Sequence, residues 1–230
     1  MDARSAQTGA AVTLRLAIFD CDGTLVDSQH SIVAAMQGAF DAVSLPCPDR
    51  AACLSVVGLS LPEAMAQLLP EAEADFHGVM SDHYKEAFHA LRAGGGVHEP
   101  LYEGVADLLD ALEADGWLLA VATGKSDRGL RLVLEHHGLH PRFISLQTAD
   151  RHPSKPHPSM IHQALADAGA DAANAVMIGD TSFDMLMACA AGVPGLGVGW
   201  GYHTPDMLRE AGARSVAMDT GALARHIGLP

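Results

Sequence analysis

Asp20-Cys21-Asp22-Gly23-Thr24 closes a short apolar run, Leu14 to Phe19, with two carboxylates two residues apart. At the carboxyl end of a buried strand, that spacing sends both side chains off the same edge. Ligands of doubly wound sheets bind at that edge. Like charges so close raise one pKa unless a cation lies between them. A hard divalent cation resolves the repulsion and also holds phosphate oxygens. A calcium loop is excluded, because its fifth and sixth positions call for a carboxylate and a glycine and here are Thr24 and Leu25.

Three further groups stand at equivalent places. Gly179-Asp180-Thr181-Ser182-Phe183-Asp184 follows the run Ala175 to Ile178 and opens a helical pattern. Asp180 there completes an oxygen-ligand magnesium site, with Asp184 one helical turn on as a steadying group. An acidic helix N-terminus with no further role explains the same residues. Thr123-Gly124-Lys125-Ser126 follows the run Trp117 to Ala122. A hydroxyl and exposed amides at a helix start suit a phosphoryl oxygen. It is not a Walker loop, since Leu119 stands where that motif needs its first glycine. Lys155, in Ser154-Lys155-Pro156-His157-Pro158, is framed by two prolines that fix the backbone around one cation.

These groups need a scaffold that delivers strand ends to one edge. The runs named above, with Phe143–Leu146 and Gly195–Val198, are short and unalternating, as strands buried on both faces are. Helical spacings lie between them, at Val105 to Leu112, Leu130 to Leu134, Met160 to Leu165 and Met185 to Ala191. Alternation from residue 100 onward predicts an α/β fold with a doubly wound parallel sheet. Residues 28–96 break the alternation. Ile32 to Val43 and Ala74 to Leu91 are helical, and Ser60-Leu61-Pro62-Glu63 reads as a capping-box helix start. Leu54–Val57 is the lone strand-like run there. An all-helical module over 28–96 is therefore expected inside a core of 14–27 and 97–230, hinged near Asp27 and Gly94-Gly95-Gly96, with 1–13 a frayed tail.

With those four groups in order, the chain resembles the haloacid dehalogenase-like hydrolase superfamily from residue 16 to about 212, and most of all its phosphoglycolate phosphatase-like branch, which Leu25, Asp27 and Ser28 also fit. The resemblance implies a Rossmann-like core with a type-one helical cap. It implies that Asp20 is a nucleophile forming an aspartyl-phosphate and that Asp22 is the acid and base. Thr123 and the Gly124 amide hold phosphoryl oxygens, and Lys155 neutralises charge. Asp20, the Asp22 carbonyl and Asp180 bind Mg²⁺, with Asp184 ligating through water or orienting Lys155. Dehalogenating relatives lack an acid at the Asp22 position, so its presence with Asp180 points to phosphoester chemistry on a small phosphorylated metabolite. Phosphoglycolate comes first by branch resemblance. A sugar-phosphate mutase and a non-enzymatic binding protein are the alternatives.

Composition narrows the class further. The 230 residues carry 14 Lys and Arg against 28 Asp and Glu, a net charge of −14, which disfavours nucleic acid and anionic membranes as partners. No signal-peptide core or membrane-length apolar stretch is present. Four cysteines without a CxxC pair predict free thiols and a cytoplasmic address. The 13 histidines form no metal pair, though His157 beside Lys155 is placed to touch substrate. Gly195-x-Gly197-x-Gly199 is read as a close-packed strand, and Trp200 to His203 as a loop at the rim of the site without a catalytic role. Gly58-Leu59-Ser60 is the expected substrate-reading loop, and Arg50, Lys85 and Arg92 are the basic residues of 28–96.

Overall fold

The computed structural model describes residues 13–229; the tail expected over 1–13 lies outside them but for Thr13. Six parallel strands form one sheet in the order β3-β2-β1-β4-β5-β6: β1 (Arg15–Phe19), β2 (Trp117–Thr123), β3 (Phe143–Thr148), β4 (Ala175–Gly179), β5 (Gly195–Val198) and β6 (Ser215–Ala217). The five runs expected as strands are β1 to β5. The chain runs outward from β1 to β3 and then returns to lay β4 against the other side of β1. This reversal opens a crevice beyond the carboxyl ends of β1 and β4.

Two-sided burial is literal. Ala17 and Phe19 of β1, with Leu119 and Val121 of β2, pack into one apolar layer beneath α5 (Val105–Ala114), α6 (Asp127–His136) and the C-terminal α10 (Thr220–Ile227). Leu16, Ile18, Ala120 and Ala122 point the other way, into α7 (Ser159–Ala168) and α8 (Ser182–Ala191). A short helix, α9 (Pro205–Glu210), links β5 to β6. The glycine-rich β5 packs as expected: a Cβ on Gly197 would lie 2.9 Å from Leu208.

Between β1 and α5 the chain forms four helices, α1 (Gln29–Ala42), α2 (Arg50–Ser55), α3 (Leu61–Leu68) and α4 (Ala74–Ala93). They enclose a separate core of Met36, Ala39, Phe40, Cys53, Met65 and Met80. The strand-like Leu54–Val57 is instead the end of α2 and the turn after it. Asp49 caps that helix by accepting from the Ala52 amide (2.8 Å), and Cys53 belongs to its buried face. Ser60 does precede α3, but its side chain makes no cap; its amide instead reaches across to the Ser154 hydroxyl (2.8 Å). Among the described residues no helix is long and apolar enough to cross a membrane.

Candidate active site

Asp20 leaves β1 and Asp180 leaves β4, so the strand reversal sets the two carboxylates side by side. The Asp20 amide is tied to the Ile178 carbonyl (2.9 Å). The loop after Asp20 turns back through Gly23, whose φ of +82° is a left-handed conformation open chiefly to glycine. A Cβ there would also meet the Asp180 carboxylate at 2.2 Å. Thr24 donates from its hydroxyl to Asp180 Oδ1 (2.8 Å), and the Tyr202 amide donates to Oδ2 (2.9 Å). The rim loop 200–203 therefore does more than border the site, because it fixes Asp180.

Asp184 faces both its own helix and Lys155. It is the third residue of α8, where it forms a capping box with Thr181 through Oδ2. Its Oδ1 accepts from Lys155 Nζ at 2.6 Å. The Lys155 ammonium, wholly buried, also lies 3.0 Å from Asp20 Oδ1, close enough for an ion pair but outside hydrogen-bond angles. Among the described residues, both Asp20 oxygens are buried without a hydrogen-bond donor.

Burial pushes the Asp20 carboxyl up to about 7, against the pull of Lys155, and Asp184 and Asp22 add to the rise. Burial, then Asp20 and Asp184, raise Asp180 well above the usual carboxylate range. Burial alone would strip charge from Lys155, but Asp184 and Asp20 outweigh it and hold the ammonium above its ordinary pKa.

Asp20, Asp180 and Asp184 each offer an oxygen within 4.8 Å of the others. Three carboxylates facing one ammonium leave negative charge uncompensated, and the donors are all hard oxygens. A hard divalent cation fits such a set in charge and in ligand type. The Asp22 carboxylate is engaged elsewhere. Its Oδ1 accepts from Lys125 Nζ (2.7 Å) and from the Ser28 hydroxyl, which in turn contacts the Tyr202 hydroxyl (3.1 Å). Ser28 precedes α1 yet leaves that helix without a side-chain cap.

Thr123 ends β2 and is buried. Its hydroxyl accepts from the Lys125 amide (3.3 Å), so its own hydrogen remains free to donate. Thr123, Gly124, Asp20 and Asp22 all line one cleft between the sheet edge and α1–α4. Gly58 and Leu59 line it too, so close that a Cβ on Gly124 would lie 2.5 Å from the Leu59 carbonyl. Of the three basic residues, Lys85 and Arg92 reach the cleft, while Arg50 donates to Gln29. His157 does not reach it; it is exposed, with Nδ1 accepting from the Ser159 amide (3.2 Å).

The structure also gives partners to residues that the sequence left without a role. Lys125 bridges Asp22 to Glu99 (3.0 Å), and Glu99 pairs with Arg92 of α4 (3.0 Å), so a buried chain of charges joins the first motif to the helical module. His203 accepts at Nδ1 from the Ser182 amide (3.0 Å), and its Nε2 meets the Ser55 carbonyl (3.1 Å), again joining the two parts. A lysine directly after Thr123-Gly124 was the one available signal for the charge chain.

Residues 17–198 match the haloacid dehalogenase-like hydrolase family, and the chain belongs to it. It is 39% identical over 198 residues to a protein of Dickeya dadantii named probable phosphatase IndB, covering 85% of this chain and 86% of that one. A protein of Vibrio cholerae named phosphoglycolate phosphatase is 29% identical over 223 residues, 92% of this chain and 96% of the other. A solved structure described as a predicted phosphatase from Clostridium acetobutylicum superposes with a TM-score of 0.85 at 25% identity, covering 94% of this chain and 98% of that one.

Proposed function

We propose that this hydrolase cleaves phosphate monoesters of a small metabolite by way of an aspartyl-phosphate on Asp20, with magnesium as cofactor. The observation that carries the reading is Asp20 itself: a buried carboxylate without a hydrogen-bond donor, 3.0 Å from a buried ammonium, facing the cleft that Thr123 also lines. The names borne by its relatives support phosphatase chemistry, and phosphoglycolate is the compound that branch resemblance puts first.

In this reading an Asp20 oxygen attacks phosphorus as the bond to the leaving alcohol breaks, and Asp22 gives that alcohol its proton. Water then attacks the phosphorus of the aspartyl-phosphate. Asp22 takes the water's proton, and the bond to Asp20 breaks to release phosphate. Thr123, through its free hydroxyl hydrogen, and the Gly124 amide hold the transferring oxygens. Lys155 offsets their charge, and Asp184 keeps Lys155 in place. Asp20, Asp180 and the Asp22 carbonyl would hold magnesium, with Asp184 beside them; when bound, it supplies positive charge to the phosphoryl oxygens. We read residues 14–27 and 97–230 as the catalytic core and 28–96 as the cap, supported by the separate apolar cluster of α1–α4. The compartment proposed is the cytoplasm, on cysteine usage.

The test is phosphate release from 2-phosphoglycolate, sugar phosphates, nucleotides and simple alkyl phosphates, with and without magnesium. The expected outcome is turnover of at least one compound at kcat/KM of about 10⁴ M⁻¹s⁻¹ or more, abolished by chelation. Folded protein that releases phosphate from none of them overturns the reading.

A further inference from the structure

The cleft above Asp20 is unlike its floor. It has a volume of about 140 Å³ and is partly open to solvent. The floor is polar: Asp20, Asp22, Thr123 and Lys125. The opposite wall, from α1, α2 and the turn after α2, is apolar, with Ile32, Met36, Cys53 and Val56 each at most 5% exposed. A short carboxylated alcohol such as glycolate would gain no polar side-chain partner from that wall.

Two of the cationic side chains at the cleft are paired. Lys85 pairs with Asp82 (2.9 Å) and points largely to solvent, and Arg92 pairs with Glu99. Arg128 and His89, without ion pairs among the described residues, are exposed at the mouth.

Two aromatic rings stand on the same side. Tyr84 and Phe88 are one turn apart on α4, with centroids 6.0 Å apart and planes inclined at 40°, and both line the cleft. Phe88 lies beside the chemistry. Lys125 Nζ is 5.7 Å from its ring centroid and 2.7 Å from the Asp22 carboxylate. Phe88 is thus within reach of the body of a substrate whose leaving oxygen faces Asp22, its ring carrying Arg92 (5.6 Å) as well as Lys125. The Tyr84 hydroxyl makes no hydrogen bond among the described residues, so a donor or acceptor on that body has a partner ready. Aromatic surfaces of this kind hold planar rings in offset or edge-to-face packing.

We propose that the alcohol of the physiological substrate carries a planar ring, seated on Tyr84 and Phe88 against the apolar wall, and is not a short carboxylated alcohol. This inference rests on the phosphatase reading above and narrows its substrate.

The test uses pairs of esters with matched leaving groups: uridine 5′-monophosphate against ribose 5-phosphate, and benzyl phosphate against ethyl phosphate, with 2-phosphoglycolate alongside. The ring-bearing member should exceed its partner about tenfold or more in kcat/KM, the scale of one stacking contact. Success in the nucleotide pair alone assigns a nucleobase; success in both assigns a ring in general. Phe88→Ala should reduce the ratio several-fold, and Phe88→Leu, which keeps apolar bulk and safeguards folding, should reduce it too. Ratios near one, a preference for 2-phosphoglycolate, or a ratio untouched in Phe88→Leu would overturn the ring while leaving the phosphatase standing. Silence of every ester would overturn the phosphatase and the ring with it.

Discussion

The sheet edge and the wall facing it hold their residues in opposite ways. At the edge, Asp180, Asp184 and Lys155 are each buried and each held by two or more polar contacts, at least one of them to a part of the chain far away in sequence. On the wall, Met36 and Val56 sit in apolar clusters, and Ile32 is buried beside them. A group that transfers phosphoryl must be fixed to a fraction of an ångström, which hydrogen bonds and ion pairs achieve. A surface that chooses a substrate needs shape, and shape changes with a single side chain. Chemistry and selectivity are thus built from different interactions on different segments, and the Lys125–Glu99–Arg92 chain is one of the few polar links between them.

Substitutions at the edge should abolish turnover for every ester alike. Asp20→Asn removes the nucleophile and should lower kcat on the order of 10⁴-fold or more, with no phosphoenzyme trapped on rapid quenching. Residual burst formation would place the nucleophile elsewhere. Lys155→Met should lower kcat by about 10²- to 10³-fold. It should also cost about 3–5 kcal/mol of stability, because Asp20 and Asp184 are left buried without their cation. An unchanged urea midpoint would show that the ammonium is not what balances that cluster.

Glu99→Gln tests the link between the two regions. The neutral side chain loosens both Lys125 and Arg92, so Asp22 loses its frame while Asp20 keeps its own. A several-fold fall in kcat is expected on alkyl phosphates, which need protonation of the leaving oxygen. A smaller fall is expected on p-nitrophenyl phosphate, whose leaving group departs as an anion. Equal losses on both would sever the connection to Asp22.

The smallest expected effect lies away from both regions. His152 is packed between the Ser159 hydroxyl (2.8 Å) and Gln147 Oε1 (2.8 Å); burial, then Arg151, hold its pKa below the ordinary 6.5, against the pull of Asp127 and Asp167. The unfolded chain therefore takes up a proton near pH 6.5 that the native state refuses, and stability falls as pH drops through that value. Between pH 7.5 and 5.5 the urea midpoint of His152→Asn should shift less than that of the wild type; identical shifts would exclude this histidine as a source.

The strand ends were legible because parallel strands covered on both faces must be short and apolar, and Asp20, Thr123 and Asp180 interrupt that pattern abruptly. β6 was not. Ser215-Val216-Ala217 is a three-residue edge strand with too little apolar run to stand out. Leu54–Val57 misled because four apolar residues fit a helix end as well as a strand, and only the capping contact to Asp49 separates the two. The roles of Glu99 and Lys125 were hidden for a different reason. Their contact spans 26 residues, and neither residue lies in a periodic pattern. His157 is close to Lys155 in sequence but faces away from the cleft, where its ring accepts from the Ser159 amide.

Gly124 gives the seam between core and helices its tolerance. Where it faces the Gly58 and Leu59 carbonyls, no side chain intervenes, and the two backbones nearly touch. One added methyl would be a wedge in a door frame, pressing the helices away from the very residue whose amide is assigned to the transferring oxygens. Such an enzyme would admit its ester and discard its product freely, yet hold neither the ester nor its own phosphate-facing amide firmly in place.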